Sequence, residues 1–165
     1  MSNVRCVGLL WLLVIHALSL IWPAAAPAAS GTTRQIIVYL VARGDDGKHG
    51  RKIGCNDSLV AVSRTVRASA SPLRAAVQEL LSIPADYTAG GEPLENFWKG
   101  SDLRLAKVSS VGTRATLYIT GRLSVAGICD EPRITQQIEE TARQFRSVSR
   151  VDVFINGVPL AEAIR

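Results

Sequence analysis

Between Ile134 and Val158 the apolar positions change period. Ile134, Ile138, Ala142 and Phe145 recur every three or four residues, which is one face of a helix. After a break at Ser147–Ser149, Val151, Val153 and Ile155 alternate with Asp152, Phe154 and Asn156, the spacing of a strand. Asn156-Gly157 then supplies a turn, because both residues tolerate positive φ.

Upstream, Gln35–Ala42 (QIIVYLVA) is apolar at nearly every position and reads as a central strand buried on both faces. Ser58–Arg67 reads as a second strand, with Val60, Val62 and Val66 on one face and Arg64 among them. Ser71-Pro72 opens a helix, serine as N-cap and proline where its missing N–H costs nothing, and Leu73, Ala76, Val77, Leu80 and Leu81 form its apolar stripe. Ile83-Pro84 ends it. Ala85–Ser101 reads as a long loop. Asp102–Val108 and Thr113–Gly121 form a hairpin around Ser110-Val111-Gly112. Asp130 is the expected N-cap of the second helix, with Gln137, Glu139, Glu140 and Arg143 on its wetter side. The order is β-β-α-β-β-α-β. It predicts an α+β fold, two helices packed on one face of a mixed, mainly antiparallel sheet of about five strands, with the other face partly exposed. Leu160 and Ile164 tuck a last turn against the core.

The N-terminus changes the picture of where the chain works. Arg5 precedes an apolar run from Val7 to Trp22, and Ala26-Pro27-Ala28 offers small residues at a cleavage site. Residues 1–28 are expected to be a signal peptide, the alternative being an uncleaved inner-membrane anchor. Removing Arg5 takes Lys plus Arg from 19 to 18 against 14 acids, a mature net charge of +4 spread without runs. That dispersion favours solubility and excludes a nucleic-acid groove. Cys6 leaves with the signal peptide, so Cys55 and Cys129 remain as an even pair, expected to form a disulfide in an oxidising compartment; two separate buried thiols are the alternative.

Candidate chemistry is sparse. The Gly44–Gly50 loop holds Asp45, Asp46 and His49, the last histidine of the mature chain, at a spacing that fits no metal loop and reads as a solvated, flexible hairpin loop. Arg64 is either a charge that snorkels at the sheet's end or an anchor for an acidic partner. Phe97 and Trp98 either pin the long loop to the core or form an exposed contact for a partner. Asp86, Glu92 and Glu95 in that loop are the carboxylates an acid–base pair would draw on.

Four blocks carry a family resemblance: Leu59–Val66 (LVAVSRTV), Pro72–Leu81 (PLRAAVQELL), the hairpin Leu103–Ile119 with Gly112 at its turn, and Ile138–Gly157. In this order and spacing the chain resembles a GerMN domain, the module named from spore germination and sporulation proteins, over about residues 34–160, with 161–165 a short tail. Ser82-Ile83-Pro84 replaces the family's glycine-proline turn, and the two cysteines are not general family features. The resemblance implies an α+β module of cell-envelope proteins that works by protein–protein contact rather than catalysis, with no catalytic residue or cofactor to carry over. The expectation is a non-enzymatic periplasmic protein whose partner is another envelope protein. Its contact surface would be the bare sheet face, an exposed strand edge or the Phe97-Trp98 loop, and it would meet the membrane only if the N-terminal segment is uncleaved. A small periplasmic ligand-binding protein or a hydrolase of an envelope polymer is the alternative.

Overall fold

The computed structural model describes residues 32–99 and 102–165; the signal-peptide reading lies outside them. The first sheet carries β1 (Thr33–Ala42), β2 (Arg51–Lys52), β3 (Ser58–Arg67), β4 (Asp86–Ala89) and β5 (Glu92–Glu95) in the order β2-β3-β1-β5-β4. The second carries β6 (Arg104–Val111), β7 (Arg114–Thr120), β8 (Arg150–Ile155) and β9 (Val158–Pro159) in the order β6-β7-β8-β9. Helices α1 (Pro72–Ser82), α2 (Asp130–Arg143) and α3 (Leu160–Ala163) complete an α+β fold. All strand pairs are antiparallel except β7–β8, which is parallel because α2 supplies the crossover between them.

The strands thus form two sheets where the hydrophobic pattern predicts one. Both helices touch both sheets: α1 packs on β1, β3 and β6, and α2 on β1, β3 and β8. Ile36, Val38 and Leu40 of β1, Val77 and Leu80 of α1, Ile134 and Ile138 of α2, and Leu117 and Ile119 of β7 therefore share one core.

Local sequence explains most boundaries. The Ser71 hydroxyl accepts from the Arg74 N–H at 3.4 Å and Pro72 opens α1. Asn156 and Gly157 take φ of 51° and 85°, turning β8 into β9, and the Asn156 side chain bonds both backbone groups of Gly121. Leu160 and Ile164 are buried at the C-terminal end.

Other readings are corrected. The long loop contains a hairpin, because Gly90 and Gly91 (φ 58° and 88°) turn β4 directly into β5. Strand β6 runs on through Ser110 and Val111, so the second hairpin turns at Gly112-Thr113. Asp130 is the first residue of α2 rather than its cap; Cys129 stands at the N-cap position without a capping side chain. Strand β1 is central, but Ile37 on its second face is 36% exposed.

Candidate functional site

Cys55 and Cys129 are bonded, and the bridge ties the 3-10 turn at Gly54–Asn56 to the start of α2. Beside it lies a buried charge cluster. The Arg133 Nε donates to Asp57 Oδ2 at 2.6 Å and its Nη1 to Asp130 Oδ1 at 3.1 Å, while the guanidinium lies 4.9 Å from the Phe97 ring centroid. Burial works against the Arg133 charge, but the two carboxylates outweigh it and raise its pKa. Asp57 also accepts from the Gly44 N–H at 2.9 Å. The cluster therefore joins the Gly44–Gly50 loop, the disulfide turn and α2.

Arg64 takes neither expected role in simple form. Its Nε donates to Glu79 of α1 at 2.7 Å and its Nη1 to the Tyr87 hydroxyl of β4 at 3.0 Å. The Glu79 hydrogen bond raises its pKa. The head group clamps β3 to α1 and to the β4–β5 hairpin.

Phe97 and Trp98 are 3% and 1% exposed, so an exposed contact is not open to them: both rings belong to the core. The Trp98 Nε1 donates to the Ile134 carbonyl at 2.8 Å, and the Phe97 N–H to Gln137 Oε1 at 2.8 Å.

The carboxylates of the β4–β5 hairpin are not gathered in a cleft. Glu95 lies opposite Asp86 and accepts from Arg43 at 3.3 Å; Glu92 lies 3.6 Å from the His49 Nε2. Asp45 organises the loop expected to be flexible. It accepts from Ser58 Oγ at 2.5 Å and from the His49 N–H at 2.8 Å, and its other oxygen lies 2.5 Å from His49 Nδ1. The Ser58 hydroxyl, then the His49 backbone bond, hold the Asp45 carboxyl down at about 2, and Asp45 in turn raises the His49 pKa. Serine, aspartate and histidine thus stand in a chain, but with the carboxylate in the middle. The Ser58 hydroxyl donates to Asp45 rather than to His49 and is fully buried, so the chain is not the arrangement of a nucleophile–base pair.

The polar seam between α2 and β1 escapes the sequence reading. The N–H and C=O groups of Ile37 and Tyr39 point away from β3, and α2 meets all of them with side chains. Gln144 accepts from the Ile37 N–H at 2.8 Å and donates to its carbonyl at 2.6 Å. Thr141 accepts from the Tyr39 N–H at 3.1 Å, and Gln137 donates to the Tyr39 carbonyl at 3.0 Å. At Val41 a backbone partner, Glu95 of β5, takes over. The helix stands in for a strand. Gln137, expected on the wetter side, is fully buried. Its signal was the spacing Gln137, Thr141, Gln144, one stripe of short polar side chains on a helix face.

Among the described residues the outer face of the second sheet is partly open: Tyr118 is 36% exposed and Phe154 is half-buried. Tyr118 and Phe154, on neighbouring parallel strands, stack with centroids 5.5 Å apart and planes 16° from parallel. Lys107 lies 5.6 Å above Tyr118, and Arg114 pairs with Asp152 at 3.2 Å. Aromatic surface framed by charge is the composition of a protein-binding patch. Ile128, in the loop before the disulfide, is 87% exposed.

The family described as Germane, sporulation and spore germination, matches residues 37–161. Among solved structures, the tandem GerMN domains of the sporulation protein GerM from Bacillus subtilis align with a TM-score of 0.55 at 21% identity, over 82% of this chain and 43% of that one. The first GerMN domain of the same protein aligns with a TM-score of 0.54 at 20% identity, over 77% of this chain and 86% of that one. The chain thus spans under half the length of the tandem structure and most of the single domain. No curated protein matches it. At these identities the likeness concerns the fold.

Proposed function

The chain belongs to the sporulation and spore germination family of GerMN domains, and on that premise we propose that it is a non-enzymatic, exported cell-envelope protein that acts by protein–protein contact or assembly. The observation that carries the reading is the stacked Tyr118–Phe154 pair on a sheet face left partly open among the described residues. A stacked aromatic pair left partly in water is apolar surface that a partner can bury. Export to an oxidising compartment is supported by the apolar run from Val7 to Trp22 and by the Cys55–Cys129 bond. The order Ser58, Asp45, His49 favours binding over acyl transfer.

The test is a photo-crosslinking side chain at Thr120, an exposed position on the Tyr118 strand, in envelope fractions of the native host. A protein adduct is expected, and Tyr118→Ser with Phe154→Ser should abolish it while the purified protein stays folded. No adduct, or one that survives the double substitution, refutes this surface. N-terminal sequencing of the exported protein tests cleavage: a start near Ala29 is expected, and a start at Met1 or Ser2 overturns it.

A further inference from the structure

Strand β3 pairs with β1 along all ten of its residues, but among the described residues its outer side meets only β2, at Ser58 and Leu59. The register fixes which groups are left over. Ile37 and Tyr39 of β1 point away from β3, so their partners in the pairing, Ser63 and Ala61, point away from β1 as well. Thr65, two residues on, does the same. The Leu59 carbonyl confirms the phase, since it faces Gly50 closely enough to leave no room for a side chain there. The N–H and C=O groups of Ala61, Ser63 and Thr65 therefore face outward, with no hydrogen-bond partner among the described residues.

Such an edge is a template for another strand, and proteins usually blunt it. Here the opposite edge of the hairpin shows how: α2 closes β1 with Gln137, Thr141 and Gln144. Among the described residues nothing equivalent closes β3 beyond Leu59. Its outward face carries small side chains, Ala61, Ser63 and Thr65, all exposed, which leave the backbone accessible.

Beside the C-terminal half of this edge runs a groove of about 450 Å³ between β3 and α1, its walls including Val66, Arg67, Arg74, Ala75 and Gln78. Arg67 and Arg74 have no carboxylate within ion-pair distance among the described residues, and neither has Arg34, the cross-strand neighbour of Val66. Glu79, the acid lining the groove, is already held by Arg64 at 2.7 Å. The edge thus ends in a cluster of unmatched positive charge.

We infer that the outer edge of β3 is a strand-addition site for an extended, acidic segment of a partner protein, whose backbone pairs with Ala61, Ser63 and Thr65 and whose carboxylates meet Arg67 and Arg74. The inference deepens the protein-contact reading above and rests on it. Backbone pairing supplies the affinity; side chains at every second position of the added strand reach the groove floor at Val66 and Ala75, and the arginines select acid over base.

The test uses the purified, isotope-labelled protein and a panel of synthetic peptides, about ten residues of alternating valine and threonine, ending in two aspartates, two asparagines or two lysines. The diaspartate peptide is expected to slow amide exchange at Ala61, Ser63 and Thr65 and to bind at least about tenfold more tightly than the asparagine peptide, an effect that shrinks with added salt. Arg67→Glu with Arg74→Glu should remove that preference without unfolding the protein, since both side chains reach water. Ser63→Pro, which deletes one outward donor on an edge that tolerates proline, should weaken all three peptides. Equal affinity for the three peptides, unchanged exchange at those amides, or binding untouched by both variants overturns the inference. If those amides become protected by raising the protein concentration alone, the occupant is a second copy and the acidic-segment assignment fails. The Thr120 crosslink sits on the other sheet, so it can succeed while this test fails, or fail while this one succeeds.

Discussion

Replacing Gln137 by leucine should destabilise the fold, although it puts an apolar side chain at a position with no exposed surface. Gln137 is fully buried and makes two well-placed bonds, accepting from the Phe97 N–H at 2.8 Å and donating to the Tyr39 carbonyl at 3.0 Å. Leucine leaves both backbone groups without partners. A buried group left unpaired costs about 1–3 kcal/mol, and the Tyr39 carbonyl, only partly buried, falls at the lower end, so the loss is about 3 kcal/mol. The added apolar burial returns about 1 kcal/mol, leaving a net loss of about 2 kcal/mol. Gln144 makes the matching pair of bonds to Ile37, but in water's reach, so Gln144→Leu should cost under about 0.5 kcal/mol. The assay is urea unfolding of residues 31–165, which form one compact unit with Trp98 as its sole tryptophan, followed by fluorescence and far-ultraviolet circular dichroism. With a slope of about 1.5 kcal/mol/M, Gln137→Leu lowers the midpoint by about 1.3 M and Gln144→Leu by under about 0.4 M, with slopes unchanged. A Gln137→Leu midpoint at or above the parent's, or equal shifts for the two variants, refutes the idea that α2 acts as the missing strand of β1.

The disulfide and the His49 loop give two further expectations. Cys55→Ser with Cys129→Ser opens a bridge spanning a sequence separation of 74 residues, for which the chain-entropy relation gives about 4.5 kcal/mol as an upper value. Reductant should lower the urea midpoint of the parent and leave that of the double variant unchanged; no effect on the parent refutes it. His49 has its pKa raised by Asp45, so its contribution to stability is fully present below its ordinary value of 6.5 and is lost as pH rises through the raised one. Asp45, held at about 2 by Ser58 and His49, contributes above its ordinary value of 3.8 and loses that contribution as pH falls toward 2. A nuclear magnetic resonance titration of the His49 ring should give a midpoint above 6.5 that Asp45→Asn brings down; an unchanged midpoint in the variant refutes the pairing.

Some features were legible because they depend on neighbours in sequence. Ser71-Pro72 sets the start of α1 through one hydroxyl and one missing N–H, and both act within a turn. Ser58–Arg67 spans the whole of β3 because β-branched residues mark it end to end. The β4–β5 hairpin was hidden because each strand has four residues and Pro93 interrupts the pattern, too little alternation to register. Gln137 was misplaced because a glutamine scores as polar wherever it sits, and only a strand edge brought against it makes burial favourable. Arg64 held two alternatives open because its partners, Glu79 and Tyr87, come from separate elements.

By itself the sequence determined the two longer helices, the longer strands, the apolar stripes that form the core, an even pair of cysteines and the family, since periodicity and composition are carried along the chain. Only the tertiary structure decided that the strands divide into two sheets, that α2 seals one edge while β3 is left open, and that Phe97 and Trp98 face inward. Those outcomes turn on which backbone groups find partners far away in sequence, and the period carried along the chain does not say which partners those are.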